Sequence, residues 1–210
     1  EMLNVKKKKE KHDGVESKKM EENNIKLKAM EIDDNKNVEL TSLPIKTKRL
    51  LDTQIEFFPK IIKELQKNGR KTSHWAWYVW PTTMPGRSDS RITAVTEESA
   101  YSLLKLTNLD QWIMILNLLA EYMENKVKEY EKQKNNAKSN DDSSKEKTRE
   151  FFFQRNPISK IIPPIDHGPI KFFIQFWLVD NDKNITKQFP TFYNAIHKFN
   201  DIFEYGLSIK

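Results

Sequence analysis

The sequence predicts a mainly α-helical protein, a single helical-bundle-like domain, and three observations support this class. Several segments repeat apolar residues at the i, i+3, i+4, i+7 spacing of one helical face. Residues that favour helix starts and stops stand at the ends of these segments. Strictly alternating stretches are scarce, and no Asn-Gly or Asp-Gly turn separates two of them, which argues against β-hairpins.

The first periodic segment covers residues 47–69 and carries Phe58, Ile61, Ile62 and Leu65 on one face. Proline suits the first turn of a helix better than its interior, so Pro59 predicts two helices that meet near residues 57–58. Gly69 is well placed to end the second of them.

The later elements carry their own boundary signals. Thr96 is a predicted N-cap and is followed by acidic residues in the first helical turn. The next helix is predicted to be the longest. Its apolar face comprises Leu109, Trp112, Ile113, Leu116, Leu119 and Met123. The proline-broken stretch 151–170 predicts turns or short helices, and Pro169 and Pro190 each open a further helix. Asp166 is predicted to cap the helix that contains Pro169.

Composition divides the chain into a helical domain and polar segments. Residues 1–44 are rich in Lys, Glu, Asn and Asp and contain no aromatic residue, which predicts a disordered charged tail. The helical domain is expected over residues 45–205, with a polar insertion loop or frayed helix end at 131–150 and a C-terminal tail at 206–210.

Charge and composition exclude several classes of protein. The net charge is +6 with a pI near 9.2, which permits contact with nucleic acid without demonstrating it. Because the chain has no cysteine, disulfide scaffolds and cysteine nucleophiles are excluded. No apolar stretch is long enough for a membrane span. We expect an intracellular protein, cytoplasmic or nuclear, and the run KKKKEK at residues 6–11 is better explained as a solvated tail than as a nuclear address.

The stretch GRKTSHWAWYVWP, residues 69–81, is the most unusual part of the sequence. An aromatic side chain buries about 150–250 Å², so tryptophans this close together predict an anchor for neighbouring helices. We expect core positions for at least two of Trp75, Trp77 and Trp80. Ser73 is a candidate cap for a helical turn here.

This stretch, followed by Gly-Arg-Ser at residues 86–88, resembles the signature of the domain of unknown function 1810 family. The resemblance extends to RLLDTQ, FPKIIKELQKNGRK, AVTEESAYSLL and GPIKFFIQFW, and thus covers about residues 48–205 without the insertion. It implies a small, mainly helical fold and no assigned activity. Two departures stand out. Thr82 replaces the family's usual glutamine, and Phe172, Phe173 and Ile174 replace a polar run next to the retained Lys171.

The candidate site lies around the aromatic stretch. Planar cations beside aromatic faces suit an anionic ligand with a ring, such as a nucleotide, and a tryptophan–base stack contributes about 1–3 kcal/mol. His74 is the candidate catalytic residue, as a general acid or base near neutral pH, although a structural role is more common for such a histidine. The predicted ligand-binding residues are Arg70, Lys71, Ser73, Trp75, Trp77, Tyr78, Arg87 and Ser88.

Other chemistries have little support in the sequence. The four histidines are far apart and show no metal-binding spacing, and no phosphate-binding glycine loop or Gly-x-Ser-x-Gly motif is present. Nucleic acid is a weaker candidate partner, because the aromatic stretch lacks a long row of basic residues. The alternative to a ligand pocket is a non-enzymatic interaction module. In that case the aromatic stretch is core, and the charged tail or the insertion contacts protein or nucleic acid. The sequence leaves enzymatic activity, cofactor and oligomeric state open.

Overall fold

Helices make up the described part of the chain, and no strand occurs in it. The computed structural model describes residues 38–83, 94–139, 156–180, 185 and 187–209. We number its helices α1 (Ile45–Asn68), α2 (Ala76–Val79), α3 (Glu97–Leu106), α4 (Leu109–Ser139), α5 (His167–Ile174) and α6 (Pro190–Ser208). Two 3₁₀ turns, Pro157–Lys160 and Pro164–Asp166, precede α5, and a π-helical segment, Gln175–Asp180, follows it. The predicted mainly α-helical class is confirmed.

Helix α1 is continuous, so the prediction of two helices meeting at residues 57–58 was wrong. Pro59 lies inside α1 and is solvent-exposed, as is Ile55, whose carbonyl loses its helical hydrogen bond to the proline. An interior proline costs about 3 kcal/mol. Buried residues on both sides of it share one face and hold the helix together, among them Leu51, Phe58, Ile61 and Leu65.

Other boundary predictions are confirmed. Gly69 ends α1 in the left-handed conformation with φ 61°. The hydroxyl of Thr96 accepts a hydrogen bond from the Ser99 backbone N–H at 3.3 Å, and the Ser99 hydroxyl accepts one from the Thr96 N–H at 2.9 Å. This reciprocal pair is a capping box at the start of α3. Pro190 occupies the first turn of α6.

The core lies where α4 packs against α1 and α6. Trp112 is fully buried, and its ring centroid lies 4.8 Å from that of Phe192, 5.6 Å from that of Trp177 and 5.9 Å from that of Phe58. These contacts join α4 to α6, to the π-helical segment and to α1. An indole at this position therefore organises three neighbouring elements at once.

Two predicted polar segments contain helical residues. Residues 38–42, within the predicted disordered tail, form a helical turn in which Thr41 Oγ1 donates to the Val38 carbonyl at 2.9 Å. Helix α4 continues to Ser139, so the first residues of the predicted insertion 131–150 are helical. Residues 1–37 and 140–150 lie outside the described residues.

Among the described residues, no helix combines the length and the apolar character needed to cross a membrane.

Candidate functional site

The loop between α1 and α2, residues 69–75, is fixed to the rest of the domain at its start. The Gly69 N–H donates to the Leu65 carbonyl at 2.8 Å and closes the last turn of α1. Two residues later, the Lys71 N–H donates to the Ile161 carbonyl at 2.9 Å. The loop is thereby joined to the segment between the two 3₁₀ turns.

Glu64, in the last part of α1, binds the middle of the loop. Its Oε1 accepts hydrogen bonds from the Thr72 N–H at 2.7 Å, the Ser73 N–H at 3.1 Å and the Trp75 indole N–H at 3.0 Å. Its Oε2 accepts a further hydrogen bond from the Ser73 hydroxyl. The sequence predicted that Ser73 could cap the helical turn here. It does not cap α2, because its hydroxyl is bound to Glu64.

These donors change the acidity of Glu64. Its partial burial would by itself raise the pKa, because desolvation disfavours the charged form. The hydrogen bonds from Ser73, Thr72 and Trp75 stabilise the carboxylate more strongly and lower its pKa from the ordinary 4.5 to about 2. Glu64 is therefore ionised at neutral pH, and its charge is stabilised by neutral hydrogen-bond donors of the loop.

A buried ion pair provides another anchor. The Lys71 ammonium lies 2.9 Å from Asp166 Oδ2, and the two side chains are only 6% and 9% exposed. Lys71 Nζ also lies 5.2 Å from the Trp75 ring centroid, within cation–π range. Asp166 occupies the N-cap position of α5, but its side chain makes no capping hydrogen bond. The predicted capping role is therefore wrong, because the carboxylate pairs with Lys71 instead.

The aromatic stretch divides into buried and half-buried residues. Trp75 and Trp80 are 1% and 0% exposed, with ring centroids 5.4 Å apart, whereas Trp77 and Tyr78 are half-buried. The prediction that at least two tryptophans are core residues is confirmed. Trp80 also packs on Phe199 of α6 at 6.2 Å. Its indole N–H is buried and has no hydrogen-bond partner among the described residues.

The end of α2 is held through its carbonyl groups, each bound by a side chain from a different element. Gln54 Nε2 donates to the Tyr78 carbonyl at 2.8 Å, and Trp112 Nε1 donates to the Val79 carbonyl at 2.9 Å. Trp177 Nε1 donates to the Pro81 carbonyl at 3.0 Å. Since helix ends leave carbonyls without helical partners, these donors fix a four-residue helix that would not be stable alone.

The structure divides the predicted site residues into four groups. Arg70, Ser73 and His74 are exposed on the loop, and Trp77 and Tyr78 are half-buried beside it. Lys71 and Trp75 are buried, which removes them from direct contact with a ligand in solvent. Arg87 and Ser88 lie outside the described residues. Within the described residues, no group of three His, Cys, Asp or Glu side chains could hold a metal ion.

Two important residues of this region were not singled out from the sequence. Glu64 is one of several charged residues of α1. Nothing in the local sequence distinguishes it from glutamates that do not bind a loop. Gln54 is fully buried, and its Oε1 accepts a hydrogen bond from Thr107 Oγ1 at 2.8 Å while its amide holds α2. A polar residue on the apolar face of a helix is the signal that identifies such a position.

A separate groove lies between α4 and α6, with a volume of about 590 Å³. None of the predicted site residues lines it. Its lining residues are Glu124, Val127, Lys128, Glu131, Lys198, Asp201, Ile202 and Tyr205. On its rim Lys128 pairs with Glu124, and the Tyr205 hydroxyl donates a hydrogen bond to Glu131.

Comparison with known proteins finds one family that is similar to the part of the chain around the candidate site. No curated protein and no solved structure matches the chain. The family model described as Protein of unknown function (DUF1810) matches residues 44–139, which include α1, the loop, α2 and α3. The likeness predicted for the later helix that contains Pro169 lies beyond these residues. Residues 44–139, which carry the predicted signature, are therefore similar to this family of unknown function, as the resemblance predicted.

Proposed function

We propose that the loop of residues 69–75 and the neighbouring face of α2 bind an anionic, nucleotide-like small molecule. Arg70 and Arg87 are the phosphate-binding groups of this proposal, and Trp77 and Tyr78 offer the aromatic surface for the ring. Ser73, whose hydroxyl is bound to Glu64, and Ser88 complete the polar lining.

The observation that supports the proposal is a loop with buried anchors and exposed functional groups. Glu64 and the ion pair of Lys71 with Asp166 fix the loop backbone, while Arg70 and His74 remain exposed. Binding and catalytic groups are commonly carried on loops that a rigid scaffold positions. Prior positioning lowers the entropy lost when a ligand binds.

The buried residues of the predicted site have a supporting role in this proposal. Lys71 holds the loop to Asp166, and Trp75 packs against Trp80 and hydrogen-bonds Glu64. Their replacement is expected to act on folding stability as well as on binding. Arg70 and His74 are better test positions, because their exposed side chains can be truncated without opening the core.

The second candidate function is the interaction module, and the burial of Trp75 and Trp80 favours its first requirement, an aromatic stretch that serves as core. Under this proposal the partner is a macromolecule, and no small ligand occupies the loop. The ligand screen below separates the two functions.

The test is a thermal-shift screen of mononucleotides and dinucleotides. A ligand at about 100 times its dissociation constant stabilises the fold by about 2.7 kcal/mol. For a domain of this size, that raises the melting temperature by roughly 5–10 °C. Arg70→Ala, Arg87→Ala and His74→Ala are expected to reduce the shift. Arg49→Ala, an exposed arginine near the start of α1, is the matched control and should leave it unchanged.

Two results would contradict the proposal. An unchanged melting temperature across the panel would remove the nucleotide-like ligand and favour the interaction module. Equal shifts in the wild type and in all three variants would place the ligand elsewhere. If a nucleotide binds, mass spectrometry of the bound ligand after incubation tests the catalytic role of His74. That role requires turnover by the wild type and none by a His74→Ala variant that still binds.

A further inference from the structure

Four basic residues lie along one exposed side of α1 and just past its end. Lys60, Lys63 and Lys67 are spaced i, i+3, i+7, which places them on one helical face, and Arg70 directly follows the terminal Gly69. All four are exposed. We call Lys60, Lys63, Lys67 and Arg70 the basic row. The aromatic stretch by itself did not predict this row, since three of its members belong to the preceding helix.

Most of the positive charge of the basic row is not neutralised by ion pairs. Lys60 pairs with Glu56 at 2.6 Å. The part of the chain that the structure describes contains no ion-pair partner for Lys63, Lys67 or Arg70. Glu64 is the remaining carboxylate on this face, and its oxygens accept hydrogen bonds from the loop.

The basic row borders the proposed nucleotide site. Glu64 follows Lys60 by four residues and precedes Lys67 by three, so all three lie side by side on α1. Since Glu64 binds Thr72 and Ser73, the loop lies beside the middle of the row.

Aromatic surface continues from the row to α2. Lys60 Nζ lies 4.6 Å from the Phe57 ring centroid, and that ring lies 5.4 Å from the ring of Tyr78. Phe57, Tyr78 and Trp77 are all half-buried. Cations and partly exposed rings therefore share one surface.

We propose that this surface binds single-stranded nucleic acid, with phosphates along the basic row and bases on the half-buried rings. The inference rests on the proposed function, because the loop site becomes one end of a longer binding surface. Lys60 and Lys67 are about 10 Å apart along the helix axis, at 1.5 Å per residue, so the row is long enough for more than one phosphate. Stacking on side chains requires accessible base faces, which a duplex does not offer.

The electrostatics set the size of the expected effect. Each phosphate neutralised on a single strand contributes about −0.7 to the slope of log affinity against log salt concentration. The three unpaired cations, Lys63, Lys67 and Arg70, therefore predict a slope of about −2. A fourfold rise in salt concentration then weakens binding by about 20-fold.

The experiment measures fluorescence anisotropy of a labelled single-stranded oligonucleotide of about 12 nucleotides, within the usual range of site sizes. Lys63→Gln combined with Lys67→Gln is expected to weaken binding at least 10-fold and to reduce the slope to about −0.7. The matched control combines Lys128→Gln with Lys132→Gln, two exposed lysines with the same spacing on α4. This control is expected to change the affinity less than twofold.

The outcomes separate this inference from the proposed function. If mononucleotides raise the melting temperature but the oligonucleotide binds no more tightly than they do, the inference is wrong and the small-molecule site stands. If the oligonucleotide binds with dependence on Lys63 and Lys67 while no mononucleotide binds, the basic row is confirmed and the small-molecule site is wrong. Equal losses in the test and control variants would overturn the inference. Tighter binding of a duplex, or of vesicles rich in anionic lipid, would also overturn it.

Discussion

Replacing Glu64 by glutamine is expected to destabilise the protein at neutral pH and to have little effect in strong acid. The substitution keeps the size of the side chain and removes its charge. The carboxylate accepts hydrogen bonds from Thr72, Ser73 and Trp75, and a neutral amide accepts them less strongly. Its amide nitrogen also cannot accept the hydrogen bond that Ser73 Oγ now donates to Oε2.

The pKa of Glu64 sets an upper bound on this effect. A fall from 4.5 in the unfolded chain to about 2 in the folded protein corresponds to about 3.4 kcal/mol of stabilisation. Because Glu64 is only partly buried, solvent screening reduces the expected contribution to about 1–2 kcal/mol. Since folding lowers this pKa, the contribution is complete above pH 4.5 and is lost as the pH falls toward 2.

The assay is urea denaturation of the wild type and Glu64→Gln between pH 7 and pH 2.5. The difference in free energy of unfolding should stay near 1–2 kcal/mol down to about pH 5 and shrink below pH 4.5. Glu56→Gln is the matched control, an exposed glutamate two turns earlier on α1, and its effect should remain below about 0.5 kcal/mol. A Glu64→Gln difference that does not change with pH would refute the role of the carboxylate charge.

Three further substitutions test the packing of this region by urea denaturation. Lys71→Met leaves Asp166 as a buried charge without its partner and should lower the free energy of unfolding by about 3–5 kcal/mol. The added Asp166→Leu should restore most of this loss. A loss below about 1 kcal/mol would contradict the buried pair. Gly206→Ala places a Cβ 2.3 Å from Ile158 Cδ1 and should cost about 1–3 kcal/mol. Ile158→Val, which lacks that atom, should cancel part of this cost in the double variant. If the stability changes of the two substitutions are simply additive, the clash is contradicted. Gly69→Ala forces an L-residue to φ 61° and should cost about 1–2 kcal/mol. Gly69→Asn should cost less, because asparagine tolerates this conformation better than alanine. Equal effects of the two substitutions would exclude backbone strain as the cause.

The sequence predicted the features that depend on local periodicity and capping. The Thr96 cap, the Gly69 stop and the apolar face of α4 are each set by residues within a few positions of one another. Both boundaries were found, and Trp112, Leu116, Leu119 and Met123 of that face are buried. Pro59 misled the prediction because the local cost of an interior proline is outweighed by burial along the whole of α1. Tertiary packing keeps α1 continuous through Pro59, and packing between distant residues cannot be read from the local sequence.

The candidate site depends on contacts between distant parts of the chain, which is why the sequence located it without giving its geometry. Trp177 and Pro81 are 96 positions apart, and Lys71 and Asp166 are similarly distant. A single sequence carries no information on such pairings. Aromatic density marked the region, but it did not reveal that Lys71 is buried or that Glu64 fixes the loop.

The polar anchors of the loop distinguish this surface from the groove between α4 and α6. A buried ion pair such as that of Lys71 with Asp166 is often no more stabilising than an apolar pair of the same size, because desolvation offsets the attraction. An ion pair and a hydrogen-bonded carboxylate do, however, fix the position and orientation of the loop residues that they bind. A connection between α1 and α2 needs only the Gly69 stop and a polar loop, yet this loop carries both kinds of anchor. On the rim of the groove between α4 and α6, the ion pair of Lys128 with Glu124 is exposed, and exposed pairs contribute little to stability. The loop of residues 69–75, by contrast, is held by buried anchors while it carries exposed groups, and the proposed ligand site depends on this arrangement.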